Sequence, residues 1–289
     1  MKKALLLVLG SIVSVQLGAA AAKSLFPEVG PLAMAWLRFT GATVILVFVG
    51  RISFRGHSRR AWLDLLVYCA SLACMNVLFY QGVARIPLGL AVTIEFLGPL
   101  GVALAKTRRA RDLLWVVLAG AGVALLGWSP GSLNWAGVGF ILGAAVCWTT
   151  YILVTPRVGK QWGGAQAVTY ANILGALSLV IPVLMWHRQG LGSWHIWVLG
   201  LVVGLLSSVV PYVFELQALK TIEPRIFSIL MSAEPAMAAL AGLVILGEHL
   251  SATDVVAMGC VVAASVGVTW TATRGKPKIS SGAVEPSQE

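Results

Sequence analysis

Hydrophobic positions in this chain come in runs too long for the core of a water-soluble domain. Ala4 to Ala22 carries no charged residue, Leu65 to Ala84 none, and Leu113 to Pro156 none over 44 residues. The last of these is interrupted only by the turn-like Trp128-Ser-Pro-Gly-Ser-Leu-Asn-Trp135. A hydrocarbon layer of roughly 30 Å is crossed by about 20 apolar residues in a helix, so the three runs fit one, one and two crossings. Carried along the whole chain, the pattern predicts ten helices, over 4–25, 31–50, 62–84, 88–106, 112–129, 135–156, 165–187, 194–219, 225–247 and 251–272. Prolines punctuate them: Pro27 and Pro31 bracket the first turn, Pro87 precedes the fourth helix and Pro224 the ninth. Proline is tolerated at a helix start, where its missing N–H is not needed.

Composition agrees with a membrane setting. The 289 residues are 58% hydrophobic and 11% charged, against about 25% charged in soluble domains. A net charge of +10 raises the question of nucleic acid, but the basic residues sit in short clusters between apolar runs, where membrane orientation explains them. With the N-terminus in the cytoplasm, 17 Lys and Arg fall on the cytoplasmic side and 3 outside, and Arg38 lies within a span. Both termini are therefore expected in the cytoplasm, with 273–289 a polar, disordered tail. Lys2-Lys3 followed by an apolar run resembles a signal peptide, yet the run is long enough to span. Cys69, Cys74, Cys147 and Cys260 all lie inside apolar runs; they read as small buried hydrophobes rather than metal ligands, and no metal or cofactor is expected.

The chain also repeats itself. At an offset of 136, Gln81 falls on Gln217, Pro99 on Pro235, and Ala103-Leu-Ala105 on Ala239-Leu-Ala241; at 142, Asp112 falls on Asp254 and Trp128 on Trp270. The reading is two five-helix repeats, 4–129 and 135–272. Because five is odd, the second enters the membrane from the opposite side. Such inverted repeats are built for alternating access to a central site, so the expected fold is an all-α membrane protein of ten transmembrane helices in two inverted five-helix repeats.

Ionisable side chains at span depth are costly and mark function by default. Arg38, Glu95, Glu215 and Glu234 are the candidates. Arg38 stays charged and needs a carboxylate or a wet cavity: it either anchors a substrate carboxylate or forms a fixed ion pair with Glu95 or Glu234. Glu95 precedes Pro99 by four residues, so its carbonyl loses its helical donor and the helix is expected to kink; Glu234 stands beside Pro235 at the matching proline. Each glutamate either binds a substrate ammonium or a coupling proton, or is satisfied by neighbouring hydroxyls. Glu215 is expected to snorkel or to pair with Lys220, and Glu248 and His249 to be solvated. Among uncharged groups, Gln16, Asn76 and Tyr80 are the chosen cavity residues, with Asn172 and Tyr212 among further candidates; helix–helix hydrogen bonding is the alternative for all of them. Trp162 and Trp194 fall near span ends as interface anchors, whereas Trp36 and Trp148 lie deeper.

No His-Glu-x-x-His, Gly-x-Ser-x-Gly, Walker or Gly-x-Gly-x-x-Gly motif is present, which argues against an enzyme. Leu25-Phe-Pro-Glu-Val-Gly30, Met75-Asn-Val-Leu-Phe-Tyr80, Ile86 to Leu100, and Ile229-Leu-Met-Ser-Ala-Glu-Pro-Ala236 with Leu246-Gly-Glu248 resemble the EamA-domain branch of the drug/metabolite transporter superfamily. Within it they resemble the bacterial Rht-type threonine/homoserine exporters, from about residue 4 to 272. The resemblance implies proton-driven efflux of small neutral amino acids across a bacterial inner membrane. The charges suggest how: the substrate carboxylate on Arg38, its ammonium on Glu95 or Glu234, and the proton on the other glutamate. An exporter of other metabolites or small cationic drugs is the alternative within transport. An intramembrane enzyme is the alternative from another class.

Overall fold

A computed structural model describes residues 2–49, 56–105, 112–126 and 134–273. All regular structure among them is helical: α1 (Lys2–Ser24), α2 (Phe26–Val49), α3 (Arg59–Val83), α4 (Leu88–Glu95), α5 (Leu97–Ala105), α6 (Asp112–Leu126), α7 (Trp135–Trp162), α8 (Gly164–Trp186), α9 (Trp194–Gly204), a π turn (Leu205–Val209), α10 (Val210–Leu219), α11 (Pro224–Met231), α12 (Glu234–Leu246) and α13 (Ala252–Thr273). Nine helical stretches among the described residues are long and apolar enough to cross a membrane, and Leu114–Leu125 is a shorter apolar helix. The basic 106–111 connection, the turn containing Trp128 and the tail from 274 lie outside the described residues.

Several boundaries differ from expectation, each for a physical reason. Phe26–Val29 already forms a turn of helix, and the break comes at Gly30 (φ 76°), which only glycine adopts without strain, just ahead of Pro31. α7 runs past Pro156 to Trp162, because apolar packing continues there: Val158 and Trp162 are buried against Ala61 and Tyr170. Trp162 is thus no interface anchor. It stacks on the His57 ring at 3.7 Å and donates from its indole to the Ala61 carbonyl at 3.1 Å. The expected eighth helix is interrupted by the π turn, and the fourth and ninth are each split in two, at Phe96 and at Ser232–Ala233.

The helices form one bundle in which α3 packs on α7, α6 on α13, α2 on α8 and α9, α1 on α10 and α12, and α4 on α12. Small residues set the close approaches, as they do where lipid removes the hydrophobic drive between helices. At Gly89 a Cβ would lie 2.9 Å from the Ala239 Cα, so α4 and α12 cross there; at Gly41 it would lie 2.7 Å from the Gly200 carbonyl. Large apolar side chains point outwards instead, Phe48 being 88% and Val244 73% exposed, a surface suited to acyl chains rather than water.

One end of the bundle is pinned by charge. Lys23, at the end of α1, lies 2.5 Å from Glu248, just past α12. The same ammonium donates to the Ile86 carbonyl at 2.7 Å, and the Glu248 carboxylate accepts from the Leu88 N–H at 2.7 Å, capping α4. Gly247 in the left-handed conformation (φ 67°) turns the chain so that Glu248 reaches back. Glu248 is therefore a tie between three helix ends, not a solvated residue: its partners reward burial more than water does.

Candidate functional site

A cavity of about 250 Å³ lies inside the bundle, with polar lining from Gln16, Arg38, Asn76, Glu95, Tyr151, Asn172, Ser207, Ser208, Tyr212, Glu215 and Glu234. Met75, Phe79, Val92 and Trp148 supply apolar wall, with Trp148 held edge-on to Phe96 at 5.4 Å. Trp36, the other deep tryptophan, packs against Trp197 rather than lining the cavity.

Arg38 is positioned by backbone that Pro211 leaves unpaired. In the π turn the Val210 N–H donates to Leu205, and Pro211 has no N–H to offer the carbonyls four and five residues back. Both carbonyls go elsewhere. Ser207 accepts from Arg38 Nη2 at 2.9 Å, and Leu206 accepts from Ser14 Oγ on α1 at 2.7 Å. Arg38 Nε also donates to Ser208 Oγ at 3.3 Å, and the guanidinium carbon sits 5.8 Å from the Tyr80 ring centre. Gly18 makes room for this turn, since a Cβ there would overlap Ser207 Oγ. Tyr80 is fully buried behind Arg38, packed on Phe26 and Phe79; it supports the guanidinium and does not reach the cavity wall.

No carboxylate lies within ion-pair distance of Arg38 among the described residues. A fixed Arg38 pair with Glu95 or Glu234, one of the two sequence readings, is not what the chain forms. Glu95 ends α4 and Glu234 begins α12, so the two broken helices deliver their carboxylates to the same space. Neither is met by a neighbouring hydroxyl among the described residues. Arg38 is the opposite charge that acts on Glu95, while Glu234 faces the like charges of Glu95 and Glu215.

Glu215 is the residue sequence reasoning placed wrongly. It lines the cavity and accepts from Ser11 Oγ at 2.7 Å, rather than snorkelling towards Lys220. Three carboxylates thus share one cavity with one guanidinium. The π turn with its two serines was likewise missed, although Pro211 inside an expected 26-residue helix was the signal for it. Of the uncharged candidates, Gln16, Asn76, Asn172 and Tyr212 line the cavity. Gln81, near the end of α3, accepts from Arg85 just past that helix at 3.0 Å, and Gln217 is exposed.

A single cavity bearing a free guanidinium face and several carboxylates, between helices broken at depth, suits a small charged or zwitterionic solute. The model of the EamA-like transporter family matches residues 2–129 and again 135–270. The chain belongs to the EamA-like transporter family. Among the relatives of this EamA-like chain, the threonine/homoserine exporter RhtA of Escherichia coli strain K12 is 40% identical over 273 residues, covering 92% of this chain and 91% of that protein. RhtA of Salmonella typhimurium strain LT2 is 40% identical over 281 residues, covering 95% and 94%. An uncharacterized transporter, YwfM of Bacillus subtilis, is 28% identical, covering 79% and 81%. A solved crystal structure at 18% identity covers 94% of this chain and 99% of its own with a TM-score of 0.66, a likeness of fold alone.

Proposed function

We propose that this EamA-like transporter exports small neutral amino acids of the threonine/homoserine kind across a bacterial inner membrane, exchanging them for protons. The observation that carries the reading is Arg38: a guanidinium held by the Ser207 carbonyl and Ser208, unpaired with any carboxylate among the described residues, in a cavity that three glutamates also line. Two of its five N–H donors are engaged. The rest can grip a substrate carboxylate in the bidentate fashion that guanidinium geometry favours. The ammonium then goes to Glu95 or Glu234, and the other glutamate carries the coupling proton. The 40% identity to exporters of threonine and homoserine supports the substrate class.

The same reading includes ten spans in two inverted repeats, 4–129 and 135–272, with both termini cytoplasmic. Helix pairing supports it. Count α4–α5, α9–α10 and α11–α12 as the fourth, eighth and ninth spans; a two-fold swap then exchanges span one with six, two with seven, three with eight, and so on. The one–eight contact (α1 on α10) has its mate in three–six (α3 on α7). The two–eight contact (α2 on α9) has its mate in three–seven (α3 on α8), and one–nine (α1 on α12) in four–six (α4 on α7). The two–seven, four–nine and five–ten contacts map onto themselves.

Counterflow of radiolabelled threonine in proteoliposomes, with and without an imposed proton gradient, tests the reading. Exchange that responds to the gradient is expected; no exchange by folded, inserted protein would discard this substrate class. The excess of three carboxylates over one guanidinium favours a second reading, export of small cations. It separates cleanly, because a cation needs the glutamates and not Arg38.

A further inference from the structure

The apolar wall of the cavity includes a large side chain that is both accessible and held in place. On α7 the positions Ile141, Ala144, Ala145, Trp148 and Tyr151 recur at helical spacing and form one face. Ile141, Ala144 and Ala145 are buried, whereas Leu142, Val146 and Leu153 on the other side are exposed. Trp148 therefore points into the bundle, and its half-buried side chain turns its remaining surface to the cavity that it lines. Phe39 and Phe79 of the same lining are buried in the surrounding packing. The Trp148 ring meets Phe96 at 5.4 Å and 85°, a favoured geometry for an aromatic pair, and Phe96 is itself buried at the break between α4 and α5. The backbone behind the ring is fixed as well. A Cβ at Gly98 would lie 2.5 Å from the Ala145 carbonyl oxygen, and Thr149 Oγ1 donates to the Gly98 carbonyl at 3.2 Å. Glu95 directly precedes Phe96, so the break that delivers the carboxylate also holds the ring.

We infer that Trp148 sets the upper size of the solute's side chain, so that the cavity takes short side chains and excludes aromatic and long aliphatic ones. This rests on the amino-acid reading above and adds a residue that sets its specificity. With the carboxylate on Arg38 and the ammonium on a glutamate, the side chain is the part of the solute left to meet the apolar wall. A short one fits in front of the ring. A phenyl or isobutyl group has to displace the ring, and close-packed side chains give way only at a cost in contacts and rotamer strain. Met75 and Met231 of the same lining are flexible and can adapt to what they touch, so the limit falls on the tryptophan.

Threonine and phenylalanine carry the same two charges and differ in side-chain size, so they form the probe pair. Counterflow of each labelled amino acid is measured in proteoliposomes of the full chain, wild type beside Trp148→Ala and Trp148→Phe. The wild type is expected to move threonine faster than phenylalanine by about tenfold or more. Trp148→Ala is expected to raise phenylalanine counterflow outright and to shift the ratio towards it by about tenfold. Trp148→Phe, which keeps a smaller ring against Phe96, should shift it the same way by about threefold. Should Trp148→Ala fail to give folded protein, Trp148→Phe carries the same expectation. A gain for the larger solute is a result that damage to the bundle does not produce. A wild type that moves phenylalanine as well as threonine overturns the inference. So do variants with an unchanged ratio, whether both rates hold or both fall, since equal losses would assign the ring to the bundle or to the ammonium. Absence of any amino-acid counterflow by folded wild type is a different failure, that of the exporter reading itself.

Discussion

Two groups of charges lie among the apolar helices of this chain, and they are treated in opposite ways. Where α1 ends, Lys23 and Glu248 are 2.5 Å apart, and each also bonds a backbone group, the Ile86 carbonyl and the Leu88 N–H. Every partner is supplied by the protein, and the product is three helix ends held together. Among the described residues of the cavity, Arg38 has only a carbonyl and a hydroxyl as hydrogen-bond partners, Glu95 and Glu234 have none, and Glu215 has one hydroxyl. Charges left this incomplete at span depth do not serve stability, since an uncompensated buried charge is destabilising. What separates the structural ion pair from the proposed transport site in this bundle is not the residue types but whether the fold completes their bonding.

The largest expected effect tests the incomplete group. Arg38→Ala should abolish threonine counterflow, by about 100-fold or more given the 1.4 kcal/mol per factor of ten, while the protein still inserts and purifies folded. Normal efflux by that variant would remove the anchor and leave the cation reading. The complete group should respond the other way. Glu248→Ala strands the Lys23 ammonium and the Leu88 N–H, and should lower stability by about 2–3 kcal/mol, read as a lower unfolding midpoint in detergent. A midpoint equal to wild type would mean that the pair is solvated after all.

The sequence carried the apolar runs, their order and the placement of Arg38, Glu95 and Glu234 within them, because those follow from hydrophobic run length and proline position. It did not carry pairing. Glu248 sits at a span end beside Gly247, where solvation is the ordinary reading; only the left-handed turn at Gly247 brings it back to Lys23, 225 positions earlier in the chain. Glu215 looked able to snorkel because its depth was counted along a straight helix. The π turn at Leu205–Val209 precedes it on the same span, and Glu215 lines the cavity beyond that turn. Local sequence does not encode a partner two hundred residues away, and such partners decide which charge is structural.

Ser11→Ala should have a smaller effect. It removes the hydroxyl that donates to Glu215 at 2.7 Å, a bond to an ionisable group worth about 1.5 kcal/mol or somewhat more. Glu215 lines the cavity with the incompletely bonded charges, so the change should appear in threonine transport, about tenfold, with the unfolding midpoint nearly unmoved. A shift in midpoint with unchanged transport would move Glu215 to the structural set beside Glu248.

The smallest effect should come from Pro211→Ala, and it should separate the two groups by sign. The substitution restores an N–H in the middle of a span, within reach of the Ser207 and Leu206 carbonyls that now serve Arg38 and Ser14. Regular helix becomes available across the π turn, and removing an interior proline generally favours helix. Stability should therefore rise slightly. Transport should fall by about threefold, because a carbonyl oxygen has two lone pairs and can keep Arg38 while bonding less strongly to it. Stability gained with activity lost is the pattern of a site held short of its most stable arrangement for the sake of function. If instead Pro211→Ala lost stability and kept its transport, the π turn would be part of the scaffold, and the positioning of Arg38 would have to come from Ser208 and Tyr80 alone.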